Sequence, residues 1–181
     1  MRKMNIDFIK KKEKETISQF FYNVFFQSEG EQEGRILQGL TFSLTDQIQN
    51  PSIIGIKAHA NNEILGCIFL TRLQFQEGIQ AYLLAPVGVH PNHQGKKIGT
   101  QLIEHAIQYL KSQDTPFLMT YGDPKYYSRF GFQWVSTQRV PSPHPLSQPE
   151  GWLYKGILAE SMMELQGPVL CVEPFNQKDL W

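Results

Sequence analysis

The sequence predicts a mixed α/β fold, organised as one domain over residues 1–181, and three observations lead to this fold class. A length of 181 residues suits a single domain with its own hydrophobic core. Hydrophobic residues make up 41% of the chain and charged residues 19%, proportions that differ from those of disordered chains and coiled coils. The hydrophobic spacing changes along the chain between a helical period and alternation, which indicates helices that flank a sheet.

Three segments carry apolar residues at helical spacing, so each is predicted to be an amphipathic helix. They are Glu13–Phe26, Glu31–Leu44 and Lys97–Lys111. Between the second and third helices, three apolar runs predict consecutive strands. These runs are Ser52–Ala60, Glu63–Phe75 and Ile79–His90.

The predicted strands carry two local signals. Asn61 and Asn62, between the first and second strands, form a short hairpin signal that lacks the usual glycine. Pro86 lies inside the third apolar run and has no N–H group to donate to a neighbouring strand. We therefore expect the third strand to be bulged or unpaired near its middle.

The second half of the chain begins with a short predicted strand, Phe117–Tyr121, followed by a brief helix. Asp123 is placed to cap that helix and Pro124 to occupy its first position. Gly131 is expected to end the helix, and Phe132–Val135 resumes as a strand. Two further segments complete the chain, an irregular loop at Pro141–Gly151 and one or two strands within Trp152–Phe175.

Composition excludes several classes of protein. Lys plus Arg equals Asp plus Glu at 17 each, which disfavours a protein that binds nucleic acid through its phosphates. The longest apolar runs, Ile64–Leu70 and Ala81–Val89, are far shorter than the roughly 20 residues that a bilayer requires, and the N-terminus lacks a signal-peptide pattern. Cys67 and Cys171 lie in apolar runs and are expected to be buried thiols. We expect a soluble cytoplasmic protein whose partners are neither nucleic acid nor membrane.

The segment Gln94–Thr100 has the features of an anion site at the start of a helix. The first turn of a helix presents free N–H groups, and its dipole favours a negative charge there. Gly95 and Gly99 allow a phosphate to approach closely, and Lys96 and Lys97 add positive charge. Glycines that serve only tight helix packing are the alternative interpretation.

The segment Gly122–Phe132 places two tyrosines next to each other on the brief helix. Adjacent helical residues point about 100° apart, so one tyrosine can pack against Phe130 while the other faces a cleft. The alternative is that Tyr126 and Tyr127 are both core or interface aromatic residues.

Together these segments resemble the GNAT superfamily of N-acetyltransferases. The run from Leu84 to Pro91, followed by Gln94-Gly95-Lys96-Lys97-Ile98-Gly99-Thr100, resembles its acetyl-CoA motif, (R/Q)-x-x-G-x-(G/A). Tyr126-Tyr127-Ser128-Arg129-Phe130-Gly131-Phe132 resembles its later motif, aromatic-Tyr-x-x-x-Gly-Phe. The phrase Gly-Asp-Pro-x-Tyr-Tyr-x-Arg-Phe-Gly-Phe looks like a bacterial branch of predicted acetyltransferases with unassigned substrates. The resemblance covers residues 4–175.

The resemblance implies a fold and a reaction. The implied fold is the GNAT-type acyl-CoA N-acyltransferase fold, α+β-like, in which helices flank a twisted, mostly antiparallel sheet with two splayed central strands. The implied reaction transfers an acetyl group from acetyl-CoA to a primary amine of a small molecule or peptide, by direct attack and without a metal. The alternatives are a non-catalytic acyl-CoA-binding or interaction module on the same fold, and an acyltransferase with a different acyl group or acceptor.

The resemblance also implies roles for individual residues. Tyr127, four residues before Gly131, matches the general acid that protonates the leaving thiolate, with Tyr126 as its packing partner. The main chain around Val87, Gly88 and Val89 matches the part that binds pantetheine and the acetyl carbonyl. The residues implied to bind the pyrophosphate are Gln94, Gly95, Lys96, Lys97, Ile98, Gly99 and Thr100.

Lys97 departs from the family pattern, which usually has glycine at this position. If the position needs a positive φ, a lysine is unfavourable there. If the position needs only its N–H group, the ammonium of Lys97 can add an ion pair to a CoA phosphate. The residues leave both possibilities open.

Other polar residues have less specific interpretations. Asp123, next to the tyrosines, suits an N-cap better than a general base, and three glutamates either line an acceptor site or form a solvated face: Glu29, Glu31 and Glu33. His90 and His93 lie three residues apart, but no third ligand has metal-site spacing, so a turn is preferred. The loop that contains His144 either covers the acceptor or is a solvated connection. The chain is expected to be a monomer or homodimer.

Overall fold

The computed structural model describes residues 4–158 and 164–181. Seven strands form one sheet in the order β1-β2-β3-β4-β5-β7-β6. The strands are β1 Asn5–Phe8, β2 Ile53–Ala60, β3 Glu63–Gln74, β4 Gln80–Val89, β5 Phe117–Tyr121, β6 Gln133–Trp134 and β7 Trp152–Gly156. The helices are α1 Lys14–Glu29, α2 Glu31–Asp46, α3 Ile98–Ser112 and α4 Pro124–Tyr127. The mixed α/β prediction is confirmed.

The predicted helices and strands are all present, with ends that differ from the predicted ones by at most three residues. Strand β1 was not predicted, and it pairs antiparallel with β2 through Ile6 opposite Ala58 and Asp7 opposite Lys57. Asn61 and Asn62 both adopt positive φ angles, 49° and 65°, which confirms the hairpin that they predict between β2 and β3. No helix in the described ranges is long and apolar enough to cross a bilayer.

The chain divides into two compact units, of which unit 1 contains residues 1–70 and 86–106 and unit 2 contains residues 71–85 and 107–181. Strands β3 and β4 and helix α3 run through the boundaries of these units. The organisation of residues 1–181 as one domain stays a prediction.

In unit 1, helices cover both faces of β3. Phe21 of α1 is fully buried, and its ring centroid lies 6.0 Å from that of Phe69 on β3. On the other face, a Cβ added to Gly66 would lie 2.9 Å from Leu102 and 3.0 Å from Ile98, both on α3. Because residues three apart on a strand point to opposite faces, α1 and the start of α3 pack on opposite sides of β3.

Unit 2 is built around β5. This strand pairs in parallel with β4 through Tyr82–Leu118 and Leu83–Met119, and antiparallel with β7 along its whole length. The fully buried ring of Phe117 lies 5.6 Å from Phe75 and 5.0 Å from Tyr154, measured between centroids. These aromatic contacts are part of the core of the unit.

Candidate functional site

Strand β4 contains one residue more than the stretch of β3 that it faces. At one end Phe75 donates its N–H to Ile79, and at the other His90 donates its N–H to Leu65. Ten positions separate Phe75 from Leu65, whereas eleven separate Ile79 from His90. An extra residue in one strand of an antiparallel pair is a β-bulge, and this one lies between Ile79 and His90. Its location at Pro86 stays a prediction.

The pairing of β4 with β5 ends before Pro86. The paired residues of β4 are Tyr82 and Leu83, and the carbonyl of Leu84 accepts a hydrogen bond from the hydroxyl of Thr120 at 2.8 Å. A side chain thus takes the place of the strand partner at Leu84.

Val87, Gly88 and Val89 lie on the last part of β4, within unit 1. A Cβ on the buried Gly88 would lie 3.0 Å from the ring of Phe21 and 3.3 Å from that of Phe20. Gly88 is therefore required for the close approach of α1 to this strand. Val87 and Val89 are half-buried on either side of it.

The segment Gln94–Thr100 forms the entry to α3. The N–H of Gln101 donates to the carbonyl of Lys97 at 3.0 Å, which is the first hydrogen bond of the helix. The N–H groups of Ile98, Gly99 and Thr100 precede that bond and have no acceptor within the helix. Together with the helix dipole, these N–H groups favour an anion.

The turn that leads into this helix contains two left-handed residues. Gly95 has a φ of +74°, and Lys97 has a φ of +62°. The position that is usually glycine therefore does need a positive φ, and Lys97 adopts it at a strain of about 1–2 kcal/mol. Gln94, Gly95, Lys96 and Lys97 are all exposed.

Lys96 and the two histidines stabilise the turn. The ammonium of Lys96 donates to the carbonyl of Asn92 at 2.9 Å, and Nδ1 of His90 accepts from the N–H of Asn92 at 3.2 Å. Nε2 of His93 lies 3.3 Å from a carboxylate oxygen of Glu63. In the described part of the chain, no three His, Cys, Asp or Glu side chains are grouped to hold a metal ion.

Tyr127 ends helix α4, which forms as predicted. The carboxylate of Asp123 accepts from the N–H of Lys125 at 2.9 Å, so it caps the helix, and Pro124 occupies the first turn. Gly131, with a φ of +80°, ends the 3-10 turn that follows α4. These local signals set the position of Tyr127 at the end of the helix.

Tyr127 is buried, with 8% of its surface exposed. Its ring packs closely against Gly122, because a Cβ added there would be 2.8 Å from Cε2 of the tyrosine. The ring of Phe132 contacts it with centroids 5.6 Å apart. Burial raises the pKa of the Tyr127 phenol to about 12, and a hydrogen bond with Thr120 opposes that rise. The phenol is therefore protonated at neutral pH.

Tyr126 has a different environment. Its ring lies 5.6 Å from Phe130, and the guanidinium of Arg129 lies 4.5 Å from its centroid. The rings of Tyr126 and Tyr127 meet edge to face at 5.0 Å. Tyr126 is half-buried. It is the tyrosine that packs against Phe130, as expected for one of two adjacent helical residues.

The remaining candidates from the sequence are the three glutamates and His144, which were considered for the acceptor site. Glu31 pairs with Arg35 at 2.7 Å on an exposed face. Burial raises the pKa of the Glu33 carboxyl, and Glu29 adds to the rise. His144 lies 2.9 Å from the side-chain oxygen of Asn176, so it links the loop of residues 141–151 to the end of the chain.

The sequence gives no role to Gly122 or Gly151, although both shape the surroundings of Tyr127. Gly122 donates its N–H to the carbonyl of Gly151 at 3.0 Å, and its lack of a Cβ makes room for the tyrosine ring. Gly122 can be noticed in the sequence because it precedes the capping residue Asp123, but its hydrogen-bond partner, Gly151, is distant in sequence. Only the fold reveals the contact.

Comparisons with known proteins agree with this architecture. Residues 53–134 match the family model of the acetyltransferase (GNAT) domain. The uncharacterized N-acetyltransferase YjhQ of Escherichia coli (strain K12) is 27% identical over 137 residues, which are 72% of this chain and 75% of that protein.

Solved structures share the fold across nearly the whole chain. The GNAT family N-acetyltransferase YhbS from Escherichia coli, solved in complex with CoA, matches with a TM-score of 0.73 and 18% identity, over 98% of this chain and 94% of that one. A GNAT family acetyltransferase from Brucella melitensis, solved with acetyl-CoA, matches with a TM-score of 0.70 and 21% identity, over 97% and 99%. At these identities the likeness establishes the fold. The family-model match identifies an acetyltransferase (GNAT) domain at residues 53–134, and the similarity to YjhQ extends this likeness over 137 residues.

Proposed function

We propose that this protein is an N-acetyltransferase that moves an acetyl group from acetyl-CoA to a primary amine of a small molecule or peptide. The observation that carries the proposal is the entry to α3, where free N–H groups follow a turn with two left-handed residues. Relatives that were solved with CoA or acetyl-CoA share this fold and support the choice of donor.

The residues present fit a pyrophosphate group. A Cβ added to Gly95 would meet nothing within 4 Å, so the turn is open on that side. The pyrophosphate-binding residues in this proposal are Gln94, Gly95, Lys96, Lys97, Ile98, Gly99 and Thr100. Their main-chain N–H groups supply most of the attraction, with Lys97 adding an exposed positive charge.

The main chain of Val87, Gly88 and Val89 binds the pantetheine arm in this proposal. The pairing of β4 with β5 ends at Leu83, so the peptide groups beyond the bulge can pair with an extended amide chain as with another strand. Acetyl-CoA supplies the activated acetyl thioester. Gly88 keeps the strand close to α1, which holds these peptide groups in place.

Tyr127 acts as the general acid in this proposal. The amine nitrogen bonds to the acetyl carbon, the carbon–sulfur bond breaks, and the departing sulfur accepts a hydrogen bond from the phenol. With a phenol pKa of about 12 against roughly 8.5 for a thiol, complete proton transfer is uphill by about 5 kcal/mol. The phenol therefore acts chiefly by a hydrogen bond to the departing sulfur. The amine proton leaves through water to a carboxylate or histidine.

Lys97 favours a second candidate function. A residue held in a glycine conformation weakens the argument for an optimised phosphate site, so an acyl-CoA-binding module without turnover is the competing function. An acyltransferase with another acyl group or acceptor would use the same residues. The cytoplasm is the location that the first proposal implies, in agreement with two free cysteines.

Calorimetric titration of the purified protein with acetyl-CoA, CoA and ATP tests the donor site. We expect micromolar binding of acetyl-CoA and CoA and none of ATP. Thiol release from acetyl-CoA is then measured across a panel of primary amines. A reaction without amine serves as the blank, because it accounts for the thiol of Cys171. Binding without thiol release for any amine would favour the binding module. Failure of acetyl-CoA and CoA to bind would overturn both functions.

A further inference from the structure

Trp181 lies at the centre of an aromatic cluster in unit 2. Its side chain is buried, with 5% of its surface exposed, and its indole N–H donates to the carbonyl of Phe175 at 2.9 Å. The ring lies nearly parallel to that of Tyr121, with an interplanar angle of 17° and centroids 6.3 Å apart. Trp152 meets it edge to face at 6.0 Å. The indole is therefore held on several sides at once.

Tyr121 connects this cluster to the loop of residues 141–151. Its phenol oxygen accepts from the N–H of Gln148 at 2.8 Å and lies 3.0 Å from the hydroxyl of Ser147. The N–H of Ser147 donates in turn to the carbonyl of Trp181 at 3.0 Å. Trp181, Tyr121 and Ser147 thus form a closed ring of contacts, which we call the tryptophan clamp.

The clamp reaches Tyr127 through two glycines. A Cβ on Gly151 would lie 3.2 Å from the ring of Tyr121 and 3.0 Å from the carbonyl of Gly122, so these groups are packed without free space. Gly151 also accepts the N–H of Gly122, and Gly122 is the surface on which the Tyr127 ring lies. Tyr121, Gly151, Gly122 and Tyr127 therefore form one continuous chain of contacts.

We propose that Trp181 is a positioning residue for the acetyl transfer: by fixing Tyr121 and Gly151 it holds Gly122 against the ring of Tyr127. The inference rests on the proposed function, in which Tyr127 is the general acid. The described ring contacts of Trp181 are with Tyr121, His144, Trp152 and Phe175, so it acts through its neighbours.

Replacement of the indole tests the positioning role in turnover. In Trp181→Ala the loop loses its anchor, and we expect kcat to fall about tenfold, while KM for acetyl-CoA stays within about twofold. Trp181→Phe keeps a ring against Tyr121 and should recover most of kcat. Phe117→Leu is the matched control, because it damages the buried core of the same unit without touching the clamp.

The ionisation of Tyr127 gives a readout that needs no activity. Phenolate absorbance is compared between each protein and the same protein carrying Tyr127→Phe. At about pH 10.5 the buried phenol of the parent stays protonated. In Trp181→Ala water reaches the ring, so Tyr127 should ionise at that pH, whereas in Phe117→Leu it should not.

The outcomes separate the clamp from the proposed function. If Trp181→Ala and Phe117→Leu lose thermal stability alike and Tyr127 ionises as in the parent, Trp181 is only a core residue and the inference is overturned. If Tyr127→Phe retains full turnover, the assignment of Tyr127 as general acid is wrong. The ionisation experiment still tests whether Trp181 positions the Tyr127 ring. If Trp181→Ala does not fold, Tyr121→Phe replaces it. That variant keeps the stacked ring and removes the hydrogen bonds to Ser147 and Gln148. Like Trp181→Ala, it should make the Tyr127 phenol ionise at a lower pH than in the parent.

Discussion

The segment Gln94–Thr100 and the surroundings of Tyr127 carry the two halves of the proposed chemistry by different means. The segment is mostly exposed, and its proposed binding groups are main-chain N–H groups in a turn with left-handed residues. Tyr127 is buried, and the phenol that we propose as the reactive group belongs to a ring packed against Gly122, which has no Cβ. We therefore expect the main-chain site to tolerate changes of side chain, including lysine for glycine, and the buried tyrosine site to depend on each neighbour.

The largest effect is expected where a side chain is forced into the main-chain site. Gly99→Glu places bulk and negative charge in the first turn of α3, beside the N–H groups that attract an anion. We expect acetyl-CoA binding to fall below detection by calorimetry. Gly39→Glu, at an exposed helical glycine with nothing within 4 Å of its Cβ, is the control. Unchanged affinity in folded Gly99→Glu would place the phosphate site elsewhere.

The next effect tests the phenol itself. Tyr127→Phe removes the proton donor and keeps the ring, so we expect kcat to fall about a hundredfold with little change in the Kd of acetyl-CoA. Tyr126→Phe should keep kcat, because Tyr126 packs against Phe130. Steady-state kinetics and calorimetry measure both. Equal losses in the two variants would contradict the distinction between the tyrosines.

A single methyl group tests how closely the tyrosine site is packed. Gly122→Ala adds a Cβ 2.8 Å from the ring of Tyr127, which must move. We expect kcat to fall about tenfold while acetyl-CoA affinity is retained. Gly39→Ala, where the added carbon meets open space, should behave like the parent. Normal kcat in Gly122→Ala would show that the ring position is unimportant for turnover.

A smaller effect is expected at Lys97. Lys97→Gly relieves the strain of a positive φ and removes one charge, so we expect acetyl-CoA affinity to stay within about threefold of the parent. Lys97→Ala keeps the strain and loses the same charge, which separates the two contributions. A loss above about tenfold in both variants would mean that the ammonium binds a phosphate.

The smallest effect is a pH dependence of stability. Burial raises the pKa of Tyr127 to about 12, above its unfolded value near 10. Above pH 10 the unfolded chain loses this proton first, so the free energy of unfolding falls as pH rises towards 12. Denaturant titrations should show the parent losing about 1 kcal/mol more than Tyr127→Phe between pH 9 and roughly 11. Parallel curves would mean that the phenol is already hydrated.

Local patterns predicted most of the elements correctly. The cap at Asp123, the stop at Gly131 and the hairpin at Asn61–Asn62 depend on neighbouring residues, and all are present. Strand β1 was missed because Asn5–Phe8 is short and mostly exposed, so its pattern carries little signal. Its place is set by pairing with β2, which lies far along the chain.

The sequence by itself determined the helices, the strands other than β1, an irregularity in the strand that contains Pro86 and the two segments that carry the family motifs. These follow from periodicity, capping residues and the lack of an N–H on proline, all of which act over a few residues. Tertiary structure decided that Lys97 adopts a glycine conformation, that Gly122 is the surface under Tyr127, and that Trp181 holds the neighbouring loop. Those features depend on packing between distant segments, where close approach rather than local preference selects the conformation.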